Sequence, residues 1–203
     1  MTWMPERPDD QHRLAAWKAG DEQAGAELLA KHVGAVYRFF RRRDEETADD
    51  LTQRTMLTVV ESRDRLEPRG SVRAYLLGVA RHIWMAELGR RRRPTPRSHA
   101  PDRDGISTAA ARRELRGRLI RAMQGLTLEH QLPLELHYWE DLTTREIAEV
   151  LDIPVGTVKW RLAEARRALR GTLGRLPAVL DHAVTSETEA WRAAMRMHAG
   201  AAS

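Results

Sequence analysis

Cysteine is absent from this 203-residue chain, which removes disulfides and thiolate metal sites and fits a reducing compartment, the cytoplasm. Long apolar runs are missing too. No stretch approaches the roughly 18 apolar residues needed to cross a bilayer. The N-terminus, MTWMPERPDDQHR, carries acids and prolines where a secretory signal would need an apolar core. The expectation is a cytoplasmic protein without membrane insertion. Glycine and proline are sparse, at 13 and 9 residues, aromatics make up 5%, and the apolar share of 42% excludes a chain disordered throughout by composition. Chemistry-bearing motifs are equally scarce. His130, Glu135, His137 and Glu140, or His82 with Glu87, have no metal-ligand spacing such as H-E-x-x-H. There is also no glycine-rich phosphate loop and no G-x-S-x-G elbow. No enzyme, cofactor, metal or small-molecule substrate is expected. What the chain has in excess is positive charge, +5 with a pI near 10.2, and a polyanion is the leading partner for such a balance.

Periodicity reads as helix almost throughout. Residues 21–43 place Leu28, Leu29, His32, Val36, Phe39 and Phe40 at three- and four-residue spacings, and 47–62 turn Leu51, Met56, Val59 and Val60 inward. RDRLEPRGS then breaks the pattern with Pro68 and Gly70, and a third helix runs from about Val72 to Arg92. PTPRSHAPDRDGIS has almost no apolar residues and reads as a flexible linker. Helical pattern resumes near Ala109 and continues to Arg170. The fold class is therefore all-α, two small helical domains joined by a flexible linker. The expected boundaries are an N-terminal segment 1–20, a domain 21–93, a linker 94–108, a domain 109–172 and a tail 173–203.

The segment 141–170 changes electrostatic character halfway. Asp141, Glu146, Glu149 and Asp152 outnumber Arg145 in its first part; Lys159, Arg161, Arg166, Arg167 and Arg170 face the single acid Glu164 in its second. At about 100° per residue, Val158, Leu162, Ala165 and Leu169 share one stripe that must meet a core. Trp160, Ala163 and Arg167 lie opposite, flanked by Lys159, Glu164 and Arg170. The preceding helix, Thr144–Leu151, turns Ile147, Ala148 and Leu151 inward, with Thr143 or Thr144 placed to cap it. Asp152-Ile153-Pro154 supplies the short turn, giving a helix-turn-helix. Only the second helix would enter a major groove, so only it needs to be cationic.

LTTREIAEVLDIPVGTVKWRLAEARRAL resembles the C-terminal helix-turn-helix of bacterial sigma-70-family factors. The pattern there is L-[ST]-x-x-E-I-A-x-x-L-x-[IV]-P-x-G-T-V-[KR]-S-R-L-x-x-A-[RK]-x-x-L. Trp160 stands where that pattern has Ser. ADDLTQRTMLTVVES resembles the segment by which these factors grip the polymerase clamp, with Asp49, Asp50 and Gln53 matching, Arg54 in place of an acid and Met56 in place of Phe. GSVRAYLLGVARHIWMAELGRRRR resembles their promoter-melting helix through Ser71, Arg73, Tyr75, Leu76, Ala80 and Arg81. No intermediate domain is visible, which points to the small extracytoplasmic-function (ECF) group.

The resemblance implies a sigma factor that binds core RNA polymerase (β and β′ subunits) and directs promoter recognition, DNA melting and transcription initiation, with an anti-sigma factor as a further partner. The −35 contacts would fall on Thr144, Arg145, Val155, Gly156, Thr157, Lys159, Trp160, Arg161, Ala163, Glu164 and Arg167. The −10 contacts would fall on Arg63, Asp64, Arg65, Arg73, Gly78, Arg81, His82, Met85, Arg90 and Arg91. Core polymerase would meet Asp49, Asp50, Leu51, Gln53, Arg54 and Met56. Tyr75 and Trp84 are packed aromatics by position, with base stacking as their alternative. The rival reading is a helix-turn-helix regulator that binds duplex DNA without being a polymerase subunit. It accounts for 126–170 but not for DDLTQ or the Arg81/His82 stripe.

Overall fold

The computed structural model describes residues 8–68, 70–90, 122–123 and 125–173. Every regular element among them is helical: α1 (Pro8–Lys18), α2 (Glu22–Arg41), α3 (Ala48–Glu61), a 3-10 turn at Arg63–Arg65, α4 (Val72–Arg90), α5 (Leu128–Tyr138), α6 (Thr144–Leu151) and α7 (Val155–Leu173). The chain divides into two compact units, the first built on α1–α4 and the second on α5 and α7. The linker 94–108, Arg91 and most of the tail fall outside the described residues.

In the first unit α2 packs against α1, α3 and α4. Its start is fixed by Asp21, whose carboxylate accepts the Ala24 N–H at 3.0 Å, relieving one of the orphan donors of a helix end. Leu28, His32, Val36, Phe39 and Phe40 are buried, as their spacing predicts. The two phenylalanines meet edge to face at 5.3 Å. The pattern of α3 is half right, since Leu51 and Val59 are buried as expected but Met56 and Val60 are not. Its buried stripe is Ala48, Leu51, Thr52, Thr55 and Val59, while Val60 is 45% exposed and Met56 is only half-buried. Two threonines can face the core because their hydroxyls donate to the carbonyls four residues back, Thr52 to Ala48 at 2.6 Å and Thr55 to Leu51 at 2.7 Å.

Helix α1 lies in the stretch read only as an N-terminal segment. Leu14 and Trp17 are buried, and α1 packs on α2. Gly25 lets the two helices close up, since a Cβ there would sit 2.4 Å from Trp17 Cδ1. Polar groups join the same pair. The Nε2–H of His32 donates to Asp10 Oδ2 at 2.9 Å, and Lys31 bonds the other oxygen. Burial pushes the Asp10 carboxyl up, but hydrogen bonds and charge from Lys31 and His32 more than reverse this, leaving it below its ordinary value. Burial dominates at His32 and outweighs Asp10, holding the imidazole below its usual range.

Helix α4 begins where Ser71 Oγ accepts the Ala74 N–H at 3.1 Å. Ser71 is thus an N-cap, a structural reason for serine at that motif position. Val72, Ala74, Leu76, Leu77, Ala80 and Trp84 are buried. Trp84 is therefore core and not a stacking platform, while Tyr75 is half-buried.

In the second unit α5 packs on α7. Val158, Leu162, Ala165 and Leu169 are all buried, the stripe read from the sequence. Tyr138 is buried with its hydroxyl accepting from Arg166 Nε at 2.8 Å. Helix α6 opens with a capping box: Thr143 Oγ1 accepts the Glu146 N–H at 3.2 Å, and Glu146 Oε2 accepts the Thr143 N–H at 2.7 Å. The cap is Thr143, not Thr144. Asp152 makes the turn into α7 with φ of 54°, a left-handed conformation that Asp tolerates better than most side chains.

Candidate nucleic-acid interface and docking groove

Around α7 the residues opposite the buried stripe are open to water. Gly156, Lys159, Trp160, Ala163 and Arg167 are exposed, while Val155, Thr157, Arg161 and Glu164 are half-buried. On α6, Arg145 is exposed and Thr144 half-buried. Two arginines expected to face DNA are already engaged. Arg161 bonds Glu129 Oε2 at 3.0 Å from a largely covered side chain, tying α7 to the first turn of α5. Arg167 bonds Glu164 within its own helix at 2.6 Å. The second pair is exposed and one turn long, so it opens at little cost. Arg161 is held across helices, by a glutamate that is itself largely exposed. Trp160 is 57% exposed, and its ring centre lies 5.9 Å from that of His130 on α5. Sequence reasoning placed the indole on this face but missed His130, because the two are thirty residues apart and nothing in local spacing joins them.

On α4 the expected stripe is open only in part. His82 and Met85 are exposed, Arg81 and Gly78 half-buried, and Arg90 exposed. Arg73 is half-buried. In the preceding loop Leu66 is buried and anchors the chain, which leaves Arg63, Asp64 and Arg65 on the 3-10 turn. Arg63 is not idle there. It bonds Glu22 at 2.6 Å and Asp64 at 3.3 Å, and Asp64 first, then Glu22, raise its already high pKa further. Arg65 is exposed.

Between α2 and α3 a groove of about 600 Å³ is lined by Val33, Gly34, Tyr37, Asp49, Thr52, Gln53 and Met56. Three of the six residues expected to meet polymerase, Asp49, Gln53 and Met56, line it directly. Asp50 is exposed beside it and 3.7 Å from Arg54, which also reaches Glu87 at 3.7 Å. Leu51 is a correction: at 1% exposure it belongs to the core, one position off the outer face. The opposite wall, Val33 and Tyr37, went unread in the sequence. Its signal was a pair one turn apart, just off the buried Leu28–His32–Val36 stripe. Among the described residues no helix is long and apolar enough to cross a membrane, and no cluster of His, Asp and Glu could hold a metal ion.

The family model for Sigma-70 region 2 matches residues 28–94, and that for Sigma-70 region 4 matches residues 116–169. RNA polymerase sigma factor CarQ of Myxococcus xanthus is 31% identical over 176 residues, covering 80% of this chain and 97% of that protein. ECF RNA polymerase sigma factor SigC of Mycobacterium tuberculosis is 35% identical over 130 residues, 62% of this chain and 70% of the relative. Among solved structures, CnrH in complex with the cytosolic domain of CnrY aligns with a TM-score of 0.60 at 25% identity, over 87% of this chain and 99% of that one. Sigma factor RpoE from Bartonella quintana, solved with the anti-sigma factor NepR, gives 0.60 at 17% identity over 74% and 96%, a likeness of fold. With both halves matched and their order along the chain preserved, the protein belongs to the sigma-70 family of RNA polymerase sigma factors, in its ECF group.

Proposed function

We propose that this chain is a promoter-specificity subunit: it binds core RNA polymerase, β and β′ subunits included, and directs it to promoter DNA. The groove between α2 and α3, with Asp49, Asp50, Gln53 and Met56 on or beside it, is the polymerase-binding surface. The outer stripe of α4 (Gly78, Arg81, His82, Met85), together with Arg65 and Arg63, lies against the melted −10 strand, where captured bases offset the few kcal/mol needed to unstack them. Helices α6 and α7 read the −35 duplex through Arg145, Lys159, Trp160, Ala163 and Arg167. The domains carrying these roles are 21–93 and 109–172, extended at the front by α1. The chain brings no catalytic group of its own in this reading, since the polymerase does the chemistry, and it works in the cytoplasm, where polymerase and chromosome meet. An anti-sigma factor is a further partner; CnrH was solved with the cytosolic domain of CnrY.

The observation that carries the reading is the division of α7 into a fully buried apolar stripe and an open face bearing Lys159, Trp160 and Arg167. In-vitro transcription with purified core polymerase tests it. Addition of the full chain should confer initiation at specific start sites on a template library. The paired change Asp50→Ala, Gln53→Ala should abolish co-elution with core enzyme while circular dichroism stays unchanged. Specific duplex binding without polymerase, unaffected by that double change, would establish the regulator reading instead.

A further inference from the structure

Trp160 is the largest apolar group left open on the described surface, at 57% exposure, and it stands where the family pattern has a small hydroxyl. An indole in that position gains nothing from folding unless something covers it. It is not loose. Its ring lies 5.9 Å from the imidazole of His130 at an interplanar angle of 57°, within the range of tilted aromatic contacts. The imidazole is itself held, with Nδ1 3.1 Å from the Thr127 hydroxyl. The residues next to each ring, Arg161 and Glu129, form the 3.0 Å ion pair that ties α7 to α5 at this edge. Two rings and their brace thus form a ledge contributed by two helices, with exposed Lys159 and Arg167 on the same helix and the small, exposed Ala163 one turn along.

We infer that Trp160 and His130 form one aromatic ledge that determines upstream sequence preference by contacting thymine methyl groups in the −35 duplex. This rests on the promoter-binding reading above. Three features select the ligand. The flanking cations match a polyanion. The open face belongs to a helix of major-groove dimensions. In that groove the one apolar group a base presents is the thymine 5-methyl. A ring fixed by a neighbour loses little rotamer freedom on binding, so most of the contact appears as affinity. Arg161 acts here as a positioning residue that keeps the ledge in register.

The test uses core polymerase with the full chain on a template library randomised upstream of the start site. Thymines in the preferred −35 element are then replaced singly by deoxyuridine, which deletes only the methyl. With the wild-type chain, at least one position should lose about fourfold in initiation at limiting holoenzyme, the worth of one methyl removed from water. Trp160→Ser should erase that sensitivity at the same position, His130→Ala and Arg161→Ala should reduce it, and Trp160→Phe should retain it. No methyl-sensitive position, or equal sensitivity with Trp160→Ser, overturns the ledge. Uniform weakening across templates with the methyl effect intact marks a backbone contact and also overturns it. If Trp160→Ser melts well below the wild type, Trp160→Phe and His130→Ala carry the same comparison. Failure of the wild-type chain to confer any promoter-specific initiation would sink the promoter reading itself, whereas normal initiation without methyl sensitivity sinks only the ledge.

Discussion

Alanine at Gly25 should destabilise the first unit, against the ordinary trend for helices. In a helix interior, Gly→Ala stabilises by roughly 0.5–1 kcal/mol, because the backbone loses less entropy on folding. At Gly25 the new methyl would lie 2.4 Å from both Cδ1 and Nε1 of Trp17 and 2.6 Å from Cε2, whereas carbon atoms rest about 3.5–4.0 Å apart. The ring would have to withdraw by about 1 Å. At 2% exposure it has no free space to withdraw into. Overpacking of this kind costs about 1–3 kcal/mol, so the net effect of Gly25→Ala is a loss of up to about 2 kcal/mol. Trp17→Ala by itself should cost about 3–5 kcal/mol as a large-to-small core change. In that background the obstacle is gone, and Gly25→Ala should recover about 1 kcal/mol. Urea denaturation followed by far-UV circular dichroism on the four members of the cycle reads all of these values. The diagnostic is the change of sign. If Gly25→Ala stabilises the wild-type chain as much as it stabilises Trp17→Ala, the two residues are not in contact in solution, and α1 does not seat on α2 through this glycine.

Three further outcomes test separate parts of the structure. Ser71→Ala should cost about 1 kcal/mol through loss of the cap on Ala74 N–H, with Ser71→Asp close to neutral; equal losses in thermal melts would refute the capping role. Asp152→Val, which forces a β-branched side chain to φ near 54°, should cost on the order of 1–2 kcal/mol, while Asp152→Gly stays within about 1 kcal/mol of wild type; a harmless valine in urea titrations would count against the left-handed turn. Acidification should weaken the first unit in two stages. Folded His32 resists the proton that the unfolded chain takes up, so its share of stability is present above about pH 6.5 and declines as pH falls below it. Asp10, held below its ordinary value, keeps its share until pH drops under the normal carboxylate range near 3.9. Urea titrations between pH 7.5 and 5 should show a smaller slope with pH for His32→Gln than for wild type, and identical slopes would refute the assignment.

The sequence by itself determined most of the helices, the turn between α6 and α7 and the faces that α2 and α7 bury. These follow from local rules: a 3.6-residue period sorts Val158, Leu162, Ala165 and Leu169 to one side whatever they meet. The motifs DDLTQ and GTVK, read as a resemblance, named the family for the same reason, since order along the chain is all a motif needs. Tertiary structure decided what period alone leaves open. Leu51 is apolar and in the motif, yet only packing against neighbouring helices decides that it is core and that Val60, equally apolar, is outside. Packing likewise buries Thr52 and Thr55, which their own helix only makes tolerable by accepting their hydroxyls on carbonyls four residues back. Helix α1 was missed because its apolar contribution is small, chiefly Leu14 and Trp17, and what orders it lies across space in Gly25, Lys31 and His32. The pairing of Trp160 with His130, and of Arg161 with Glu129, belongs to the same class. A hydrophobic period is written locally in the chain, whereas a contact between residues thirty positions apart exists only once the helices have packed.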